Sequence, residues 1–259
     1  MVTDLARGSG YALSGFKLVM RPGIRRYAIL PLLINILIFG TGIWLGAALF
    51  GDFLQWLLPT WLDIWLVRIL LWLVFTLATA LIAFYAFSLL ANLVAAPFNG
   101  WLAERTEIEL RGRVGAEGTQ RDFFADAAAS IGAELRKLCY LVAWAVPLLL
   151  LFLVPGINLI AGPLWLLFGA WMLALEYADS PLGNHGVTFS RGRRLVAQRL
   201  TLALGFGATI MALTALPGLN LLIMPVAVCG ATALYVDHFA DQVGASGDNR
   251  EPVADNASR

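Results

Sequence analysis

The six residues 21–26, Arg-Pro-Gly-Ile-Arg-Arg, combine residue types that bind anions, and we call them the arginine turn. Proline followed by glycine is typical of a helix start, where backbone amides lack partners within the helix and the peptide dipoles leave partial positive charge. Arg25 and Arg26 add fixed charges and forked donors that suit a sulfate, phosphate or carboxylate. The turn is therefore a candidate anion site. A basic anchor for lipid phosphates has the same pattern and, from spacing alone, is the commoner case.

Polar side chains within apolar stretches form a second candidate site, which we call the polar group. An amide in a membrane-spanning helix usually faces protein or water, and Pro97 and Gly100 are expected to kink or end the helix that carries the last of these amides. The polar group could form a path for an ion, or it could hold helices together beside ordinary surface charges; the sequence favours neither. Its members are Asn35, Asn92, Asn99, Glu104 and Glu107.

Composition predicts that the elements carrying these residues lie in a membrane. Of the 259 residues, 59% are hydrophobic and 14% are charged, whereas soluble domains average roughly 45 to 50% and 25%; the net charge is +1. Charges are absent from four long intervals, 27–50, 69–103, 138–175 and 200–236. A spanning helix needs about 20 apolar residues, so the first two intervals predict membrane-spanning helices over about 27–50 and 69–96.

The third and fourth intervals are each interrupted by a matched phrase, Pro-Gly-Ile-Asn-Leu at 155–159 and Pro-Gly-Leu-Asn-Leu at 217–221. Each half of an interval holds about 17 residues, or roughly 26 Å of helix, which is less than the hydrocarbon core of about 30 Å. Each interval is therefore predicted to form a re-entrant helical hairpin with Pro-Gly at its tip. Asn158 and Asn220 can satisfy polar backbone there, and whether they contact an ion is open.

Basic residues near the membrane ends predict the orientation of this all-α integral membrane fold. The segment before Tyr27 has five basic residues and one acid, whereas the loop between the spanning helices has Arg68 and two acids. Both termini are therefore predicted to be cytoplasmic. Two amphipathic helices are predicted on that side, a short one at the interface near 11–21 and another near 124–138. Residues 1–240 are predicted to form a single transmembrane domain and 241–259 a disordered tail.

Residues that could support enzymatic chemistry are scarce. His185 and His238 are isolated along the sequence, and Cys139 and Cys229 are lone thiols in apolar stretches, so no metal site is predicted. The sequence has neither a Walker loop nor a dinucleotide fingerprint. We therefore expect no enzyme activity, no cofactor and no nucleic-acid partner.

Four motifs resemble those of a known family. They are the arginine turn, Ile-Leu-Pro-Leu-Leu-Ile-Asn at 29–35, Ala-Ala-Pro-Phe-Asn-Gly at 95–100, and Met-Pro-Val-Ala-Val-Cys-Gly-Ala-Thr-Ala at 224–233. With similarity from Gly15 to Asp237, the chain resembles the CysZ sulfate transporters of bacterial inner membranes. The resemblance implies two spanning helices plus two hemi-penetrating hairpins, sulfate uptake across the inner membrane for assimilation into cysteine, and homo-oligomeric assembly.

The resemblance also implies which residues bind sulfate. The family's site matches Gly23, Ile24, Arg25 and Arg26, where backbone amides and guanidinium groups would share the ion. The polar group matches the family pattern and would line the path, whereas Glu109 stands where relatives can carry arginine. The alternative function is a non-transporting membrane scaffold or an anionic-lipid-binding protein. Channel-like conduction and proton-linked uptake both fit these residues.

Overall fold

The fold is given by a computed structural model that describes residues 1–57, 65–112, 123–216 and 219–248. Every regular element within these ranges is an α-helix, so the predicted all-α fold class is confirmed. The helices are α1 Val2–Val19, α2 Pro22–Leu57, α3 Trp65–Arg111, α4 Phe123–Leu151, α5 Asn158–Asn184, α6 Phe189–Ala197, α7 Leu200–Thr214, α8 Asn220–His238 and α9 Ala240–Asp248.

The two longest helices carry the predicted spans. α2 has 36 residues and α3 has 47, so they are about 54 and 70 Å long and exceed the bilayer core of about 30 Å. α3 does not end at Pro97 or Gly100, because the residues beyond them are held by burial, among them Leu102 and Ala103. The Gly100 carbonyl also accepts a hydrogen bond of 2.8 Å from the side-chain amide of Asn184.

A helix begins at the asparagine of each matched phrase. The first three residues of the first phrase lie in the turn 152–157 between α4 and α5, where Gly156 has a φ of +84° that glycine adopts without steric cost. In the second, residues 217 and 218 lie outside the described ranges, and α8 begins at Asn220 as α5 begins at Asn158. A helix, a connection and a second helix thus occur twice, as the repeated phrase predicts.

The lengths of these helices differ between the two copies. α7 has 15 residues, about 22 Å, which is too short to cross a membrane, whereas α5 has 27 residues, about 40 Å. By length and hydropathy, α5 is the one helix in the described part of the chain that could cross alone, and α6 with α7, bent by 104°, would pass as a broken span. The number of crossings and of re-entrant hairpins therefore stays a prediction.

The structure divides into two compact units, Met1–Arg25 with Asn99–Arg259, and Arg26–Phe98. In the second unit, Phe50 of α2 stacks on Phe75 of α3 with ring centroids 3.8 Å apart, and Trp72 packs edge-on against both. Most of the described side chains in this unit are exposed, although they are apolar. Many exposed apolar side chains of this kind are typical of contact with a membrane or another protein.

The core of the first unit lies between α1, α5, α7 and α8. A Cβ added to Gly8 of α1 would lie 2.0 Å from the carbonyl oxygen of Leu202, and one added to Gly205 of α7 would lie 2.2 Å from that of Leu5. The two backbones are therefore in direct contact, with a glycine on each side. The buried residues of α1 are Gly8, Ala12, Gly15, Leu18 and Val19.

α1 differs from the predicted short interfacial helix. It begins at Val2, and its small-residue face is covered by α7 and α8. A prediction from hydrophobic periodicity depends on large apolar side chains. It therefore misses the glycines that allow the backbone of α1 to approach its neighbouring helices closely. The other predicted amphipathic helix is part of α4. After α8, residues 240–248 form α9, and residues 249–259 of the predicted tail lie outside the described ranges.

Two glycines of α1 provide a matched test of this packing. Gly8→Ala should destabilise the protein by about 1–3 kcal/mol, because the added methyl group must displace backbone. Gly10→Ala, two residues along the same helix, meets nothing within 4 Å and should stabilise the helix by about 0.5–1 kcal/mol. Thermal unfolding in detergent measures both variants, and a shift of the same sign in the two would contradict the close packing of α1 on α7.

Candidate functional site

The arginine turn joins α1 to α2, which starts at the proline of the turn, where a missing N–H is tolerated. Ile24 is 1% exposed and anchors the turn in the first unit, whereas Gly23, Arg25 and Arg26 are exposed. The amides of Ile24 and Arg25 both donate to the carbonyl of Arg21 at 2.9 Å. Because these donors are already used, an anion here would depend on the guanidinium groups more than on the backbone.

The three arginines of the turn differ in their partners. Arg21 forms an ion pair with Glu109, Nη1 to Oε1 at 3.0 Å, with both side chains nearly half exposed. The guanidinium group of Arg26 lies over the ring of Tyr27, 5.0 Å from its centroid. Arg25 forms no ion pair with any residue in the described ranges. The charge of Arg25 is therefore available to an exogenous anion.

The polar group is divided between the two units. Asn35 of α2 and Asn92 of α3 belong to the second unit, and their side chains lie outside what the structure describes. Asn99, Glu104 and Glu107 lie in the last part of α3, in the first unit. Asn99 and Glu104 are half-buried and Glu107 is fully buried. The structure thus brings three of the five predicted path residues into one helical segment.

Glu107 forms the most deeply buried ion pair of the described residues. Its Oε2 lies 2.8 Å from Nε2 of His185, and the two side chains are 1% and 6% exposed. Arg111, one turn farther along α3, places Nη1 at 3.7 Å from Oε1. That Oε1 atom has no hydrogen-bond partner in the described part of the chain. A carboxylate removed from water requires such a partner, because an uncompensated buried charge is costly.

His185 is isolated along the sequence, as predicted, but the structure places it against Glu107. It follows the last residue of α5 and is 78 positions from Glu107, so no local pattern connects the two. A signal does exist in the burial pattern of α3, where Glu107 shares one helix face with Ala103 and Thr106. An acid on an apolar face needs a basic partner from elsewhere in the chain.

The end of α3 is fixed by contacts with several helices of the first unit. Thr106 donates to the Leu102 carbonyl at 2.7 Å and lies 3.4 Å from the Cys229 sulfur in α8. The Nη2 atom of Arg111 lies 3.7 Å from Oδ1 of Asp241 in α9. These contacts, together with the Asn184 bond to α3, hold the buried ion pair in one arrangement.

A second polar cluster connects α4, α5 and α6. The ammonium group of Lys137 lies 2.9 Å from Glu176 and 3.5 Å from Asp179, and the Lys137 side chain is 9% exposed. Nearby, Trp171 donates to the Tyr140 hydroxyl at 3.0 Å, and the guanidinium group of Arg193 lies 4.6 Å from the Tyr140 ring centroid. The cluster therefore joins α4, α5 and α6 through polar contacts.

A third cluster joins α1 to the end of α8. The Tyr11 hydroxyl donates to the Asp237 carboxylate at 2.7 Å and lies 3.3 Å from Nε2 of His238. Burial, together with the bond to Asp237, raises the pKa of Tyr11 to about 12. Burial and the positive charge of Arg199 lower the pKa of His238.

The described residues contain no group of three or more His, Cys, Asp or Glu side chains placed to hold a metal ion.

Comparison with known proteins identifies the family. The family model described as Sulfate transporter CysZ/Etoposide-induced protein 2.4 matches residues 11–225. The chain belongs to this family. It is 42% identical over 236 residues to the sulfate transporter CysZ of Pectobacterium atrosepticum, covering 90% of this chain and 85% of that protein. It is 41% identical over 245 residues to the sulfate transporter CysZ of Vibrio atlanticus, covering 91% and 94%.

Membership of the CysZ family confirms the resemblance drawn from the four motifs. It places the chain among membrane transport proteins rather than enzymes, in agreement with the composition and with the apolar helix α5. The arginine turn lies within the matched range, as does the Glu107–His185 pair.

The third cluster predicts a pH dependence of stability. Because folding lowers the pKa of His238, the unfolded chain binds a proton more readily, so the free energy of unfolding should fall as pH drops through the ordinary value of 6.5. His238→Gln should flatten this dependence in thermal unfolding measured between about pH 7.5 and 5.5. His185 is retained in both proteins, so the difference isolates His238. An unchanged slope in the variant would show that His238 does not contribute.

Proposed function

We propose that this protein takes up sulfate across the bacterial inner membrane, for assimilation into cysteine, and binds the anion at the arginine turn. The observation that carries the proposal is the identity of 42% and 41%, over nine-tenths of the chain, with two proteins named as sulfate transporters. A conduit made of protein is required, because moving a bare anion into a low-dielectric medium costs tens of kcal/mol.

The geometry of the arginine turn supports its role as the anion site. Arg25 and Arg26 are exposed on a helix start that Ile24 anchors by burial, so the charges are held in place without being covered. A Cβ at Gly23 would meet nothing within 4 Å, so the space beside it can admit an ion. Two arginines match the two negative charges of sulfate, and an open site allows release, which a transport protein requires.

The proposed arrangement in the membrane follows the charge-free intervals. Spanning helices occupy about 27–50 and 69–96, re-entrant hairpins occupy about 138–175 and 200–236, and both termini are cytoplasmic. The apolar surface of the second unit is consistent with the two spans. The polar group would line the path, and the protein would act as a homo-oligomer in the inner membrane. These features extend the proposal beyond the transport of sulfate itself.

The arginine turn can be tested by removing its charges. A charge-assisted hydrogen bond contributes about 1.5–3 kcal/mol, so Arg25→Ala or Arg26→Ala should weaken sulfate binding by roughly 10- to 100-fold. The double variant should lose sulfate flux in reconstituted liposomes. Binding is measured by calorimetry on purified protein, and flux by uptake of radiolabelled sulfate.

Arg194→Ala provides the matched control, because it removes an exposed arginine of α6 and leaves the turn intact. It should keep both binding and flux. If the double variant binds sulfate as well as wild type does, the site assignment is wrong. If correctly folded wild-type protein carries no sulfate, the non-transporting scaffold or lipid-binding function replaces the proposal.

Glu109 offers a second test, because its carboxylate pairs with Arg21 beside the proposed site. An exposed pair of this kind contributes about 0.2–1 kcal/mol, so Glu109→Gln should strengthen sulfate binding by roughly 1.5- to 5-fold. The gain requires Arg21, so Arg21→Gln combined with Glu109→Gln should remove it. A gain that persists in the double variant would exclude competition between Glu109 and sulfate for Arg21.

A further inference from the structure

The outer face of α6 is basic. Its other face packs within the first unit through Phe189, Leu195 and Val196, which are 8%, 8% and 2% exposed, so the helix is held in place. Arg191 and Arg194 are three positions apart and therefore neighbours on the outer face, and neither forms an ion pair with a residue in the described ranges. Like charges at this spacing repel each other, so an anion bound beside them would stabilise the helix.

The sequence around α6 supplies no acid to neutralise this face. Between Asp179 and Asp237 there is no Asp or Glu, whereas there are four arginines, all within 191–199. The third arginine of the helix, Arg193, lies over the Tyr140 ring, 4.6 Å from its centroid. The charge of α6 is therefore available to an anion from outside the chain.

α6 lies at the level where a charge-free interval begins and ends. Lys137 and Glu176 bound the interval 138–175, and their side chains are 2.9 Å apart, so both ends of that interval lie at one level. Tyr140, three residues beyond Lys137, is the residue on which Arg193 lies. α6 is thus beside the change from charged to apolar sequence, and phospholipid headgroups lie at such a boundary in a membrane.

The direction of α6 also fits a position at the membrane surface. α6 and α7 are bent by 104° at the break 198–199, and α7 opens the interval 200–236 with Leu200, which is 48% exposed. In the proposed arrangement α7 enters the membrane, so α6 runs close to the plane of the membrane surface. The arginines of its outer face would then be level with lipid phosphate groups.

Exposed apolar side chains begin beside this basic face. Leu138 and Val142 of α4, on either side of Tyr140 in the sequence, are 51% and 52% exposed. An inorganic anion would contact the arginines alone. A phospholipid matches both surfaces, because its phosphate group can accept hydrogen bonds from guanidinium groups and its acyl chains can cover apolar side chains. A net negative charge on the lipid adds attraction to the basic helix.

We propose that the outer face of α6 binds an anionic phospholipid of the cytoplasmic leaflet, with Arg191 and Arg194 holding its phosphate group. This inference rests on the proposed function, whose arrangement of re-entrant hairpins puts residues 176–199 on the cytoplasmic side. The lipid site is separate from the arginine turn, so lipid and sulfate bind to different arginines.

The test measures binding of fluorescent phosphatidylglycerol to the full-length protein in a nonionic detergent. Arg191→Ala with Arg194→Ala should weaken binding by about 25-fold, because one arginine at a lipid surface contributes about 5-fold. Arg25→Ala with Arg26→Ala removes the same charge from the arginine turn and should change lipid binding by less than about 2-fold. An equal loss in the two double variants would overturn the site, because it would show a diffuse attraction to net charge.

Three controls examine the chemistry of the ligand. Arg191→Lys with Arg194→Lys keeps the charges and should bind within about 3-fold of wild type; binding as weak as in the alanine variant would exclude charge as the cause. Phosphatidylcholine, which has no net charge, should bind at least about 10-fold more weakly, and equal binding would overturn the choice of an anionic lipid. Inorganic phosphate at the lipid concentration should not displace the lipid, and displacement would assign the site to a free anion.

Sulfate binding and flux, measured on the same proteins, separate this inference from the proposed function. The alanine variant of α6 should keep sulfate binding, whereas the variant of the arginine turn should lose it. Sulfate flux in wild type, with lipid binding that the α6 variant leaves unchanged, would overturn the lipid site alone. Lipid binding that depends on α6, in a wild-type protein without sulfate flux, would support the lipid site and overturn the proposed function.

Discussion

Burial of the Glu107 carboxylate is the constraint on which the first unit depends. A charge removed from water is tolerated only when other groups are held against it, and here those groups come from the end of α5, from α3 itself and, through the Tyr235 ring, from α8. If α3 shifted by one residue, Glu107 would lose His185 and the Thr106 contact with Cys229 would also be lost. The ion pair therefore fixes the register of α3 within the bundle.

The arginine turn and the buried Glu107–His185 pair differ in the exposure of their charged groups. The arginine turn leaves its cations exposed, so their attraction for an anion is moderated by water and an ion can leave again. The Glu107–His185 pair is buried, so electrostatic interactions there are far stronger than at the surface. For a dianion, each 100 mV of opposing membrane potential costs about 4.6 kcal/mol. Any driving force for uptake of a dianion has to offset an energy on this scale.

The sequence predicts the features that arise from long patterns or from local backbone rules. Charge-free intervals predict an all-helical membrane chain, and Pro-Gly pairs predict the start of α2 and the turn before α5. The position of α1 depends on glycines that a count of large apolar residues ignores. The contact of His185 with Glu107 joins positions far apart in the chain, so only the folded arrangement shows it. The number of membrane crossings depends on the bilayer as well as the chain.

The two copies of the matched phrase occupy unlike surroundings. Pro163 and Pro225 are equivalent positions, yet the residue after each is 38% exposed at Leu164 and fully covered at Val226. Leu164 can be exchanged for another large apolar residue, whereas Val226 is surrounded and can change only if its neighbours change with it. The two copies of the matched segment therefore differ in how freely their side chains can be replaced. Substitutions should therefore accumulate more readily at Leu164 than at Val226, although the two residues follow equivalent prolines.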